Sequence, residues 1–191
     1  MSFVFSPTLL PEIILITPQI FGDERGFFME SYHKNAFLEA GITNEFIQDN
    51  HSKSKKWVLR GLHFQTQHTQ AKLVRVTAWS VLDIVVDMRM SSPFFWKYIV
   101  IKLDAITKQM LFVPKGFAHG FLTLEDNTEF LYKCDDLYAP QFDSGLYYAD
   151  LELWIDRVTI MNDYNITELI VSDKDKSLQT LDQYKKNPVF H

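Results

Sequence analysis

Apolar and polar positions alternate in short runs along most of the chain, with turn-forming residues between the runs. EIILIT, FFMESY, EFIQDNH, AKLVRVTA, SVLDIVVDM, KYIVIKL, MLFVP, HGFLTL and EFLYKC are rich in β-branched and aromatic residues and are short enough to be strands. Residues 81–88 are the clearest case: Leu82, Ile84, Val86 and Met88 fall on one face, and Val81, Asp83, Val85 and Asp87 on the other. A period of two fits that segment better than a helical period. Many short strands at this spacing predict an antiparallel all-β sandwich or barrel. Helical pattern is confined to residues 34–40, which stop at Gly41, and to parts of the last stretch such as residues 177–184. No internal repeat, low-complexity segment or linker interrupts the chain, so residues 1–191 read as one domain with small helical decorations.

Composition narrows the picture. With 191 residues, 47% hydrophobic and 15% aromatic, the chain can build a substantial core, alone or as a dimer. The net charge of -5 opposes general attraction to nucleic acid or to an anionic membrane surface, so any phosphate-bearing ligand needs a local basic pocket. No apolar run approaches the roughly 18 residues of a membrane span, and the first residues lack the features of a secretory leader, which predicts a cytoplasmic protein. The single cysteine, Cys134, cannot form an intramolecular disulfide. Two Asn-x-Ser/Thr sequons, at Asn50 and Asn165, read as chance in such a protein. No Gly-rich phosphate loop of either common spacing is present, which removes the usual dinucleotide and P-loop readings.

Candidate chemistry gathers in two stretches. VLRGLHFQ (58–65), followed by AKLVRV (71–76), places Arg60, His63, Gln65 and Lys72 close together, with Gly61 allowing a tight backbone turn. On a plain strand Arg60 and His63 would point to opposite faces, so they share a pocket only if a bulge or bend falls near Gly61. The second stretch is FVPKGFAHGFLTL, in which Pro114, Gly116 and His119 reproduce the P-x-G-x-x-H spacing of the second cupin motif. Metal-binding cupins add a His-x-His pair in their first motif. This sequence has none, which argues against a three-ligand metal site unless His63, His68 and His119 meet in space.

The segments FGDERGFF, FIQDNHS, VLRGLHFQ, AKLVRV, LFVPKGFAHGFL, EFLYKCDDLYAP and VSDKD, in this order, resemble the dTDP-4-dehydrorhamnose 3,5-epimerase family over about residues 13–175. The resemblance implies a cupin jelly-roll β-barrel, commonly a homodimer, that needs no metal or organic cofactor. It implies a substrate that is a dTDP-linked 4-keto-6-deoxyhexose, epimerised at C3 and C5. By motif match His63 resembles the general base, Tyr132 the general acid, and Asp175 the carboxylate paired with the histidine, although Asp173 lies two residues earlier in the same loop. Arg25, Glu30, Gln48, Asn50, Arg60, Lys72, His119, Asp143 and Lys174 fall where the family binds sugar, diphosphate and nucleotide, and Tyr138 where an aromatic stacks on the thymine. The residue types suit the reaction. A proton beside a ketone becomes removable when a cation such as Lys72 stabilises the enolate, and an imidazole is a well-matched base near neutral pH. An aspartate at its other nitrogen fixes the tautomer, and a phenol can return a proton on the far face. Two other readings stay open here: a 3- or 5-epimerase of another deoxysugar pathway, and a metal-dependent cupin enzyme.

The tryptophans depart from the resemblance. All four, Trp57, Trp79, Trp96 and Trp154, stand where sequences of this family usually carry glycine, while the chain has only 7 glycines. Either the loops have repacked around indoles, or these positions are glycine in the organism and were written as tryptophan under the wrong genetic code. The substrate-site expectation at Asp143 also carries a change, a glutamate shortened to aspartate.

Overall fold

A computed structural model describes residues 2–150 and 157–191. In chain order the strands are β1 (Phe3–Pro7), β2 (Ile14–Pro18), β3 (Phe21–Asp23), β4 (Gly26–Phe28), β5 (Gln48–Ser54), β6 (Val58–Gln65) and β7 (Lys72–Ala78). They continue with β8 (Ser80–Asp87), β9 (Tyr98–Asp104), β10 (Met110–Val113), β11 (Phe117–Thr123), β12 (Thr128–Cys134), β13 (Asp143–Gly145) and β14 (Ile170–Val171). One sheet runs β1-β2-β10-β7-β12-β5, and the facing sheet runs β13-β6-β11-β8-β9 with β14 added parallel to β6. The helices α1 (Lys34–Glu39), α2 (Arg157–Asp163), α3 (Asp173–Lys176) and α4 (Leu181–Lys186) are short and peripheral. This is the mostly-β, jelly-roll architecture that the strand pattern and the resemblance imply.

Period-two alternation sorts side chains into three layers. The space between the sheets holds Val74, Val76, Val81, Val85, Phe117, Phe121 and Phe130. The outer face of the second sheet carries Leu62, Phe64, Leu82, Ile84, Val86 and Ala118, covered by Tyr184 of α4 and other C-terminal residues. The outer face of the first sheet carries Ile16, Leu73, Met110 and Phe112, covered by Phe37 of α1. β8 is therefore buried on both faces, with its two alternating sets in different layers.

Local differences from the sequence pattern have local causes. The FFMESY run is strand only through Phe28, in a small β3-β4 hairpin that turns at Gly26 (φ 131°). The expected helix over 177–184 begins only at Leu181, because Thr180 closes a capping box with Gln183: its hydroxyl accepts from the Gln183 N–H, and the Gln183 side chain accepts from the Thr180 N–H. Trp57, Trp79 and Trp96 adopt φ of 63°, 67° and 73°, the left-handed region. Trp154 lies outside the described residues.

Candidate active site

The central feature is a break in alternation on β6. Leu59, Leu62 and Phe64 face the outer layer, whereas Arg60 and His63 both line the inner cavity. The pairing of β6 with β11 shifts register between His119 and Phe121, which supplies the bulge that Arg60 and His63 need in order to share a face. Glycine makes the close crossing possible. A Cβ on Gly61 would come within 2.5 Å of the Gly120 Cα, and one on Gly120 within 2.6 Å of the Arg60 carbonyl oxygen.

Two neighbouring chambers open between the sheets, of about 540 Å³ and 230 Å³, and both are bounded by His63, Lys72, His119, Tyr132 and Lys174. The larger adds Arg60, Phe121, Phe130 and Asp175; the smaller adds Gln65, Gln70, Tyr138 and Asp143. His63 comes from β6 in one sheet and Tyr132 from β12 in the other, so they approach the cavity from opposite walls. Lys72 on β7 is paired in register with Cys134 of β12, two residues beyond Tyr132 on the same face.

The hydrogen bonds orient the polar side chains. His63 Nε2 donates to Asp175 Oδ1 at 2.7 Å, leaving Nδ1 as the ring's other nitrogen. Asp175 is delivered by α3, where it also accepts from the Gly61 N–H at 3.4 Å, and its N–H donates to the Ser172 hydroxyl. Burial opposes the Asp175 charge, but the His63 hydrogen bond and charge outweigh it and hold the carboxyl below its ordinary range. Asp173 is fully exposed and pairs with Lys176, so of the two aspartates only Asp175 meets His63. Burial pushes the Tyr132 phenol upward, so it remains a proton carrier throughout the neutral range. Lys72 is partly buried without an ion pair among the described residues; desolvation lowers its pKa, opposed by the negative groups around it.

The smaller chamber has its own network. Asp143 accepts from the Tyr138 hydroxyl at 2.9 Å and from the Lys174 ammonium. Gln48 accepts from the Tyr138 N–H at 2.8 Å and donates to the Asn50 side chain at 3.0 Å, which places Gln48 and Asn50 behind the chamber wall. His119 is buried and hydrogen-bonded to Asp83. Two expected residues do not join. Arg25 lies on the β3-β4 turn, paired with Asp23, with 85% of its side chain exposed, and neither it nor Glu30 lines the chambers. His68 sits at the surface beside Asp136, so it does not converge with His63 and His119. Sequence reasoning passed over Asp83 as one polar position in an apolar strand; the signal was a carboxylate flanked at i±2 by valines.

Comparison with known proteins identifies the family. The family description dTDP-4-dehydrorhamnose 3,5-epimerase matches residues 7–183. The chain is 45% identical over 170 residues to the dTDP-4-dehydrorhamnose 3,5-epimerase of Shigella flexneri, covering 88% of this chain and 90% of that one. It is 41% identical over 189 residues to that of Methanothermobacter thermautotrophicus, covering 99% and 98%. The crystal structure of dTDP-6-deoxy-D-glucose-3,5-epimerase from Legionella pneumophila, in complex with dTDP-4-keto-L-rhamnose, superposes with a TM-score of 0.88 at 41% identity, covering 94% of this chain and 93% of that one. The match of the family over residues 7–183 and the identity to its curated members, in a chain whose cavity brings together His63 with Asp175, Tyr132 and Lys72, place the chain in the dTDP-4-dehydrorhamnose 3,5-epimerase family.

Proposed function

We propose that His63 and Tyr132 exchange protons with opposite faces of a dTDP-linked 4-keto-6-deoxyhexose, inverting C3 and C5 in turn. The observation that carries this is their delivery from facing sheets into one cavity that also holds Lys72. Nδ1 of His63 takes the carbon-bound proton, because Nε2 is committed to Asp175. The electron pair moves onto the C4 oxygen, where the Lys72 ammonium stabilises the enolate. Tyr132 gives its phenolic proton to the other face of the same carbon, and solvent restores the phenol and removes the proton from His63. The reaction is redox-neutral.

The chambers together have the scale of a small-molecule site. The pyranose belongs at their junction, and the Tyr138-Asp143-Lys174 side suits the nucleotide, with Tyr138 half exposed as a stacking platform. Arg60, whose Nε donates to the Ser54 hydroxyl, and Lys174 supply local positive charge that the net balance lacks. A homodimer also belongs to this reading: Phe21, Phe27 and Phe28 are 53%, 59% and 67% exposed on the hairpin that carries Arg25. A second copy would cover that apolar patch, and it is the route by which Arg25 reaches a substrate. Among the described residues no helix is long and apolar enough to cross a membrane, and we place the enzyme in the cytoplasm with its nucleotide-sugar substrate.

The test is turnover of the keto sugar in deuterated water. Deuterium at both C3 and C5 is expected; label at one carbon would identify a single-centre epimerase. His63→Ala should abolish the exchange by about 100-fold or more while binding of dTDP persists, and retained exchange would refute the base assignment.

A further inference from the structure

Asp83 stands in the middle of β8 between Val81 and Val85, in the apolar layer between the sheets, and is 0% exposed. Its only hydrogen-bond partner among the described residues is His119 Nε2, forked across both carboxylate oxygens at 3.0 Å each. One N–H leaves most of a carboxylate's acceptor capacity unused, and an anion so placed is expensive to bury. An apolar residue would serve packing as well or better, since exchanging buried charged pairs for hydrophobic groups is commonly neutral or stabilising. Stability therefore does not explain the aspartate. His119 lies opposite His63 in the β6-β11 register, and its ring bounds the same two chambers as Lys72.

We propose that Asp83 is a positioning residue for the epimerisation, a buried counter-charge that locks the His119 ring in place and sustains the positive charge of Lys72 at the enolate oxygen. It does not touch the substrate. This rests on the epimerase reading and deepens it. Lys72 also faces Cys134 and Asp143, with Tyr132, His63 and Lys174 around the same cavity. Asp83 is the fully buried carboxylate of that group and is anchored by a hydrogen bond that keeps it from swinging away.

The experiment is the pH profile of kcat for solvent exchange in the native chain, Asp83→Asn and Asp83→Val. Lys72 must be protonated to act, and losing a nearby anion makes its proton easier to lose, so the alkaline limb should move to lower pH. KM should be nearly unchanged. Asp83→Val, which suits the flanking valines, covers the possibility that a buried amide impairs folding. A limb that stays in place in either folded variant overturns the proposal, including when activity or Tm has fallen, since a packing role would lower those alone. Exchange by the native chain reports on the epimerase reading, whereas limb position reports on Asp83.

A different observation carries a second inference. Every tryptophan among the described residues, Trp57, Trp79 and Trp96, has φ between 63° and 73°. Non-glycine residues adopt that region in a few per cent of cases, mainly as Asn, Asp or His, so three bulky aromatics sharing it is not a sampling accident. Repacked loops would have relaxed to negative φ. The Trp57 indole N–H is moreover buried without a hydrogen-bond partner. We infer that these positions are glycine in the protein as its own cell makes it, through a codon read there as glycine, and that Trp154 follows the same decoding. Peptide masses from protein isolated from the native source test this. Glycine at 57, 79 and 96 is expected, and indole-containing peptides at any of them overturn it.

Discussion

Replacing each left-handed tryptophan by alanine and by glycine gives a comparison in which most terms cancel. Trp79 forms the one-residue connection between β7 and β8 at φ 67°, with the residue 56% exposed. Both substitutions remove the same indole and the same partial burial; they differ in one methyl group on a backbone held at positive φ. At an ordinary position alanine is the more stable by about 0.5–1 kcal/mol, because glycine has more freedom to lose. In the left-handed region a Cβ crowds the following carbonyl at about 1–2 kcal/mol, which reverses the order. Glycine should therefore exceed alanine by about 1 kcal/mol, or about 2–4 °C in Tm for a domain of this size. The same order is expected at Trp57 and Trp96. Urea and thermal unfolding followed by far-ultraviolet circular dichroism would measure it. Alanine equal to or better than glycine at all three sites would show that the backbone there is unstrained, and the argument for native glycine would fall with it.

Asp175→Asn keeps the shape of the His63 pair but loses the charge that stabilises the imidazolium; kcat should fall by about 100-fold or more while KM changes little, and a variant with near-native kcat would show the pair to be structural. Because the Asp175 carboxyl sits below its ordinary range, its contribution to stability is full above the usual aspartate value near 4 and is lost as the pH falls through the lower folded value; urea midpoints should drop on acidification in the native chain and less so in Asp175→Asn. Burial pushes the Cys134 thiol up to about 11, so the folded protein at pH 8 should resist iodoacetamide and react only after unfolding. Rapid native alkylation would contradict the burial of β12.

The strand set was legible because alternation is a local property: β8 showed its two faces in the order of its residues, and these faces now occupy separate layers. The bulge was legible as a condition, since Arg60 and His63 could share a wall only if one residue broke the period. What local pattern could not show is which residues from distant segments complete each other. Asp83 meets His119 across 36 positions and nothing local to either segment encodes the match, whereas His63 meets Asp175 across 112, a pairing that the motif resemblance alone supplied. The choice of Asp175 over Asp173 depends on the rotation of a single helical turn begun by the Ser172 cap. Arg25 shows the reverse limit: a motif can identify a residue that does not line the chambers it was expected to serve.

The carboxylate behind His63 arrives late. Asp175 rides on α3, beside the two-residue strand β14 that pairs with β6, so it joins the cavity wall from a segment that follows β1–β13 in the chain. A nascent chain with both sheets assembled but its tail still in the exit tunnel would hold an imidazole without its orienting partner. The pairing of His63 with its carboxylate thus waits on a segment made after the strands that build the cavity.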